Sequence, residues 1–142
     1  MESVYKCINH LANSQRRLIE KMTINKDYSG AQAKVLHFLF CSQGRLIHQK
    51  DIENEFGFRA STATEILRAM EANGLIHRIP GKNDARCREI TLTEQAMQYR
   101  DDVLADMEAL QTLLTKDISE DALNSWIRIS LKMLENIGGS NA

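Results

Sequence analysis

Two short groups of side chains carry the recognisable chemistry of this sequence. One is a run of hydroxyl and basic residues between positions 59 and 68, which comprises Arg59, Ser61, Thr62, Thr64 and Arg68. The other is a basic group between positions 82 and 88, which comprises Lys82, Arg86 and Arg88, with Asp84 two residues before Arg86. Such side chains hydrogen-bond to base edges and phosphates, and an arginine on a thin loop can enter a minor groove. The chemistry that both groups indicate is contact with double-stranded DNA.

The residues around the first group predict two short helices joined by a tight turn. Phe56 ends the apolar side of the first helix, and Gly57 can take the left-handed conformation that terminates it. Ser61 or Thr62 is the predicted N-cap of the second helix, because Thr62 and Glu65 have the spacing of a capping box. Apolar residues recur at helical spacing in this second helix and predict a buried stripe: Ala63, Ile66, Leu67 and Met70. Helix, turn and helix in this order are typical of a module whose second helix enters the major groove.

The second group lies on a predicted β-hairpin, the wing. Residues 76–79 and 88–92 predict its two strands, and residues 80–84 have the composition of a turn. The alternation in the second strand predicts two apolar residues on one face and two polar residues on the other, Ile90 with Leu92 and Glu89 with Thr91. Asp84 and Arg86 lie on one side of an extended segment, so that Asp84 can hold Arg86 in an aimed rotamer. Arg78, in the first strand, adds to this basic cluster.

These elements resemble the winged helix of the MarR family of bacterial transcriptional regulators. The most specific pattern is D-x-R-x-x-x-I-x-L-T from Asp84 to Thr93, and the next is the S-T-A-T run that begins at Ser61, followed by G-L-I at 74–76. The resemblance implies a homodimer whose two recognition helices enter successive major grooves, with the wings in the flanking minor grooves. It also implies that Arg86 is the wing arginine and that Asp84 orients it.

The resemblance further implies a small-molecule effector that changes DNA binding, for which small aromatic or phenolic acids are one class. Such a molecule would bind between the dimerisation helices and the DNA-reading module. The first helix offers polar and basic candidates, Tyr5, His10, Arg16 and Arg17, but their spacing does not bring them together. Glu65 departs from the family pattern, because a neutral or basic residue is expected at this outward position of the recognition helix.

The predicted fold is mainly α, a winged helix-turn-helix of about six helices with a short β-hairpin wing, which forms a homodimer through its terminal helices. Residues 1–28 are the predicted N-terminal dimerisation helix, residues 29–93 the DNA-binding region, and residues 94–142 the C-terminal dimerisation helices. The terminal helices are amphipathic, and their apolar faces either pack on their own domain or interlock with a second chain. A palindromic site needs a two-fold protein, which favours the second interpretation.

Two local predictions concern the joints between these regions. Arg45, Leu46 and Ile47 predict a short edge strand beside the wing. Thr93 is the predicted N-cap of a long helix, with Glu94 favourably placed near its positive end.

Composition sets the broad class of the protein. The 142 residues carry a net charge of −1, with 43% hydrophobic residues, as in an ordinary globular domain. Residues 57–93 nevertheless hold six Lys and Arg against four Asp and Glu, while the acidic excess lies in residues 94–142. Local charge rather than net charge determines attraction to DNA. We see neither a membrane-length apolar run nor a signal peptide in the sequence, and we expect a cytoplasmic protein without a membrane partner.

The three cysteines leave one alternative open. An odd number without a signal peptide argues against a disulfide framework, and the scattered histidines give no metal-site spacing. We expect Cys41 to be a small core residue at a helix end and Cys87 to be a surface residue of the wing. Cys7, in the first helix, either fills the apolar stripe or makes the protein a redox-sensing regulator, as in peroxide-sensing members of the family.

Two other classes of function, an enzyme and a protein-interaction module, fit the sequence less well. We expect no enzyme and no cofactor, because the sequence shows neither a catalytic constellation nor a glycine-rich phosphate loop. A winged helix can also serve as a protein-interaction module without specific DNA binding. That alternative needs neither Arg86 at the wing tip nor a Ser/Thr/Arg face on the recognition helix, so these features favour DNA.

Overall fold

The computed structural model describes residues 3–80 and 88–138. Within these residues the chain forms six α-helices and one antiparallel hairpin, which confirms the predicted winged helix-turn-helix. The elements are α1 (Val4–Met22), α2 (Gly30–Cys41), α3 (Gln49–Phe56), α4 (Ala60–Ala72), β1 (Ile76–Pro80), β2 (Arg88–Leu92), α5 (Arg100–Thr115) and α6 (Glu120–Asn136). A 3₁₀ turn, Gln95–Tyr99, precedes α5.

The core is built around α2, which is apolar on most of its circumference and contacts α1, α4, α5 and β2. A helix with apolar residues on all sides is stable only when other elements surround it. The residues with at most 1% exposure come from nearly every element of this module: Val35, Leu36, Ile52, Ala63, Leu67, Met70, Leu75, Ile76, Ala96 and Val103. Helix α4, which carries the candidate DNA-binding residues, is thus held by a core that lies within one protomer.

The turn between α3 and α4 forms as predicted. Gly57 has φ 69° and ψ 27°, the left-handed region in which a side chain would be strained. Phe56 and Phe58 flank it with stacked rings, 5.2 Å between centroids, and Phe38 of α2 meets Phe56 edge-on at 6.1 Å. The aromatic contacts anchor the turn on α2 and thereby fix where α4 begins.

The predicted cap of α4 is wrong. The helix begins at Ala60 with Arg59 as its N-cap residue, and the Ala63 N–H already donates to the Arg59 carbonyl oxygen at 3.0 Å. Ser61 and Thr62 therefore lie within the first turn, with both side chains exposed, and Thr62 does not cap. The side-chain cap occurs instead on α3, where Asp51 Oδ2 accepts from the His48 backbone N–H at 2.8 Å.

In the wing, Ile76 pairs with Leu92 and Pro80 with Arg88. The expected edge strand at residues 45–47 is reduced to a single bridge between His48 and Glu89, beside which the Ile90 N–H donates to the Ile47 carbonyl oxygen at 2.7 Å. In β2, Ile90 is buried and Leu92 partly buried, in keeping with their predicted common face, and Glu89 on the other face is buried as well. The neighbouring chain segment at His48 accounts for this, since it lies against β2 on its open edge.

Thr93 joins the wing to the helices that follow. Its hydroxyl donates to the Gly74 carbonyl oxygen at 2.6 Å and accepts from the Ala96 N–H at 3.0 Å. The cap is therefore present, but it begins the 3₁₀ turn rather than a long α-helix. The i-to-i+3 hydrogen bond from the Met97 N–H to Glu94 shows the tighter winding, and α5 starts only at Arg100.

The terminal helices differ from this core. Of the residues of α1 only Ile19 is buried, and within the described chain α6 has no buried residue. Eight of their large apolar side chains are exposed by about half or more: Val4, Tyr5, Ile8 and Leu11 in α1, and Trp126, Ile127, Ile129 and Leu131 in α6. None of the helices that the structure describes is long and apolar enough to cross a membrane.

Candidate nucleic-acid interface

The outer surface of α4 carries most of the predicted contact residues. Ser61, Thr62 and Arg68 are exposed, as is Arg59 immediately before the helix. The opposite side is fully buried through Ala63, Leu67 and Met70 at 0% exposure; Ile66, the fourth residue of the predicted stripe, is only partly buried. We call the surface formed by Arg59, Ser61, Thr62 and Arg68 the outer face of α4. Its hydroxyl and guanidinium groups can donate to base acceptors and phosphate oxygens.

Thr64 differs from its neighbours. Its hydroxyl donates to the Ala60 carbonyl oxygen at 2.8 Å and accepts from Gln49 Nε2 at 3.0 Å. The side chain is therefore turned toward α3 rather than toward the outer face. Glu65, the residue that departs from the family pattern, is exposed one helical turn after Ser61.

The wing group is described only in part. Arg88 is exposed at the start of β2, whereas Lys82, Asp84 and Arg86 lie outside the described residues. Cys87 lies outside them as well. The predicted orientation of Arg86 by Asp84 therefore stays a prediction.

Arg78, counted above with the wing cations, has a structural partner. Its Nη2 donates to Glu71 Oε1 at 3.1 Å, and its side chain is only 18% exposed. This hydrogen bond from Arg78 is the main reason why the pKa of the Glu71 carboxyl lies below its ordinary value of 4.5. The pair joins the last turn of α4 to β1, so that Arg78 fixes the wing against the recognition helix.

A cleft of about 350 Å³ lies between the start of α3 and the base of the wing. Four basic or titratable side chains line it, His48, Lys50, Arg78 and Arg88, together with Glu53, which lies 3.6 Å from Lys50 Nζ. Lys50 in the first turn of α3 and Arg88 at the start of β2 give the cleft exposed positive charge, which favours an anion such as a phosphate oxygen. The sequence analysis did not single out His48 and Lys50, which reach the cleft only because the start of α3 packs beside the wing.

The cysteines are placed partly against expectation. The prediction that Cys41 is a core residue is wrong, because its side chain is exposed at the end of α2, with Sγ 3.7 Å from His37 Nε2. Cys7 is a free, exposed thiol on α1. In the part of the chain that the structure describes, no three His, Cys, Asp or Glu side chains are grouped so as to hold a metal ion.

Comparisons with known proteins agree with this geometry. The model of the MarR family matches residues 29–88, which include α2 to the start of β2. The solved structure of the transcription regulator MarR from Oenococcus oeni is 23% identical and has a TM-score of 0.85, with 94% of this chain and 99% of that chain covered. None of the curated protein sequences matches the chain.

Two further similar structures contain DNA. The DNA complex of MepR from S. aureus is 19% identical, with a TM-score of 0.83 over 96% of this chain and 99% of that chain. A MarR-family regulator from Listeria monocytogenes, in complex with a 26-mer DNA, is 20% identical, with a TM-score of 0.81 over 96% of this chain and 90% of that chain. The family match over residues 29–88 and the shared fold lead to one conclusion: this part of the chain resembles the MarR family, and the chain has the fold of these regulators over nearly its whole length.

Proposed function

We propose that the protein is a sequence-specific DNA-binding transcription regulator of the repressor type, which binds a palindromic operator as a homodimer. The observation that carries the proposal is the outer face of α4, where Arg59, Ser61, Thr62 and Arg68 are exposed together on a helix whose other side is fully buried. Exposed hydroxyl and guanidinium groups on a rigid helix suit the major groove. The similar proteins from S. aureus and Listeria monocytogenes were solved with DNA, which supports the same use of this fold.

The wing and the cleft complete the proposed contact. Lys82, Arg86 and Arg88 would neutralise phosphates or enter the minor groove, with Asp84 aiming Arg86, while Lys50 at the cleft contacts the backbone nearby. Phosphate contacts fix the register of a protein on DNA, and base contacts give sequence preference. In this scheme α4 supplies the preference for certain base sequences, and the wing and the cleft supply the salt-dependent part of the affinity.

The proposed homodimer rests on the exposed apolar faces of α1 and α6. Soluble monomers rarely expose apolar patches larger than a few hundred Å², and large patches mark interaction surfaces. Trp126 is 59% exposed and Leu131 is 61% exposed in a single chain, so that α6 has an apolar surface that the described residues of its own chain do not cover. A two-fold pairing of these helices would cover both faces and present two copies of α4 to one palindromic site.

A small anionic effector is the proposed switch, with aromatic or phenolic acids as the class. A cavity of about 80 Å³ between α1 and the N-terminus of α2 is lined by Arg16, Glu20 and Lys34, and it is large enough for the carboxylate group of such an acid but not for its ring. Burial and the nearby Arg16 charge lower the pKa of the Lys34 ammonium, and a carboxylate bound beside the two cations would offset their repulsion. A panel of benzoates and phenolic acids, compared on wild type and Lys34→Met by thermal unfolding, tests this: stabilisation of wild type alone is expected, and equal shifts in both would contradict the site.

The redox alternative keeps one supporting observation, the exposed thiol of Cys7. If Cys7 senses peroxide, treatment with hydrogen peroxide should abolish DNA binding of the wild type and leave that of Cys7→Ser unchanged. Loss of binding in both proteins, or in neither, would rule this alternative out.

The experiment that tests the proposed function is selection of genomic DNA fragments by the purified protein, in repeated rounds and at two salt concentrations. We expect one inverted repeat to be enriched, with affinity that falls steeply as salt rises because phosphate contacts release counterions. Enrichment of no sequence, with weak binding to every fragment, would contradict the proposal and favour a protein-interaction module.

A further inference from the structure

One side chain at the contact between α3 and α4 lines the cleft described above and also joins the two helices. Gln49 is the first residue of α3, and its side-chain Nε2 lies 3.0 Å from Thr64 Oγ1 and 3.3 Å from the Ala60 carbonyl oxygen. Both acceptors belong to the first two turns of α4. A single amide group therefore joins the start of one helix to the start of the other.

The amide is also held from its own side. Glu53 Oε2 lies 3.3 Å from Gln49 Nε2, and the Glu53 side chain is only 12% exposed, with Lys50 Nζ 3.6 Å away. On the α4 side, the Thr64 hydroxyl hydrogen is given to the Ala60 carbonyl oxygen. We call Gln49, Glu53, Thr64 and the Ala60 carbonyl the interhelix clamp. Its hydrogen bonds support one another, because each group holds its neighbour in a bonding orientation.

We propose that Gln49 is a positioning residue for DNA recognition, whose amide sets the orientation of α4 so that Ser61, Thr62 and Arg68 face the DNA together. This inference rests on the proposed function and adds to it the residue that orients α4. In this scheme Thr64 acts through the clamp rather than on a base. Its hydroxyl already has a donor and an acceptor within the protein.

The clamp differs in kind from the apolar packing beneath α4. Burial of Ala63, Leu67 and Met70 holds the helix against the core, but apolar contacts are not directional. The hydrogen bonds of the clamp are directional, and they lie at the end of α4 that carries Ser61 and Thr62. Base contacts tolerate little displacement, whereas long cations reach phosphates from several positions. Loss of the clamp should therefore lower sequence discrimination more than overall affinity.

The test compares the affinity for the selected operator with that for a scrambled duplex of equal length. Gln49→Met and Thr64→Val remove the hydrogen bonds and nearly keep the side-chain volume. In each variant we expect the affinity ratio to fall about tenfold, since the net worth of one or two neutral hydrogen bonds corresponds to a factor of this order. The double variant should lose no more than either single one, because both remove the same interaction. The salt dependence should stay that of wild type, which a general loss of structure would not predict.

Two controls sharpen the comparison. Thr64→Ser keeps the hydroxyl and should keep the ratio, and Gln98→Met makes the same change at an exposed glutamine outside the clamp. Circular dichroism melting checks that each variant is folded, and if one of the two test variants is not, the other carries the test alone. An unchanged ratio in the folded test variants, or losses that multiply in the double variant, would overturn the inference. Failure of the proposed function is distinct, because the wild type itself would then show no discrimination.

Discussion

Helices α4 and α6 are both amphipathic, with 13 and 17 residues, and yet the structure treats their apolar sides in opposite ways. The apolar side of α4 is buried by α2 and α3 within the same chain, with three residues at 0% exposure. Among the described residues α6 buries none, although Trp126 and Ile127 lie on it. An amphipathic sequence thus predicts that a helix needs a partner surface, but not which chain supplies it. Among the described residues, the apolar side of α4 is covered within one chain, and that of α6 is not.

The largest expected effect is the loss of stability caused by a cavity under α4. Leu67 is fully buried, so Leu67→Ala should lower the free energy of unfolding by about 2–5 kcal/mol, through lost burial and the cavity that remains. Urea unfolding followed by circular dichroism measures this loss. A change below about 1 kcal/mol would mean that the core collapses around the site or that α4 is held mainly by other contacts.

A charge placed on the apolar side of α6 should weaken dimerisation and leave the stability of the single chain nearly unchanged. Ile127→Glu places a carboxylate on the exposed apolar side, where it costs the isolated protomer little but weakens a dimer by about 2 kcal/mol or more if the position is central. Sedimentation equilibrium measures the dissociation constant. Ser125→Glu is the matched control, because it adds the same group beside Arg128, on the polar side of α6. Equal dimerisation of Ile127→Glu and wild type would exclude this side of α6 from the interface.

Two arginines separate sequence preference from attraction to phosphate. Arg68→Ala should relax base preference, by about 1–3 kcal/mol if the guanidinium makes a bidentate contact.

Arg86→Ala should weaken binding to all DNA sequences similarly and reduce the salt slope by about one counterion. Fluorescence anisotropy with operator and scrambled duplexes at several salt concentrations measures both effects. Unchanged affinity and preference in Arg68→Ala would remove this residue from the recognition surface, and a normal salt slope in Arg86→Ala would remove that one.

The smallest expected effect concerns the pair of Arg78 and Glu71, which fixes the wing to α4. The pKa of Glu71 is depressed in the folded protein, so the pair stabilises the fold above the ordinary pKa of 4.5, and this contribution is lost as the pH falls toward the folded value. Because the Glu71 side chain is 39% exposed, the contribution at pH 7 should be below about 1 kcal/mol. Urea unfolding of wild type and Glu71→Gln should differ at pH 7 and converge at pH 3. A constant difference across this range would assign the effect to something other than the ion pair.

How far the sequence predicts the structure depends on the range of the interaction concerned. The turn at Gly57 and the buried side of α4 follow from local patterns, namely a residue without a Cβ and apolar spacing, and both are confirmed. The predicted cap of α4 failed because the turn between Phe56 and Arg59 fixes the first helical residue before a hydroxyl side chain can act. Propensity for capping is a weaker constraint than the tertiary contacts of the turn.

Contacts between residues that are far apart in the chain could not be predicted from the sequence. Thr64 is a polar residue on an otherwise polar side of α4, and only the position of Gln49, fifteen residues earlier, shows that its hydroxyl is engaged. Cys41 was misplaced for the same reason, and the burial of Glu89 was not predicted. Burial at the bridge to His48 and exposure at the end of α2 depend on where neighbouring segments lie, which residue type alone does not determine.

We propose that two copies of the winged helix, paired through the exposed apolar sides of their terminal helices, bind one operator. The mass of the complex on the selected DNA, measured by sedimentation equilibrium for wild type and Ile127→Glu, tests it most directly. The account predicts two chains per duplex on an inverted repeat with half-sites about one helical turn apart, and weak binding by the variant at the same concentration. One chain per duplex at full occupancy, or equally tight binding by a monomeric variant, would contradict it.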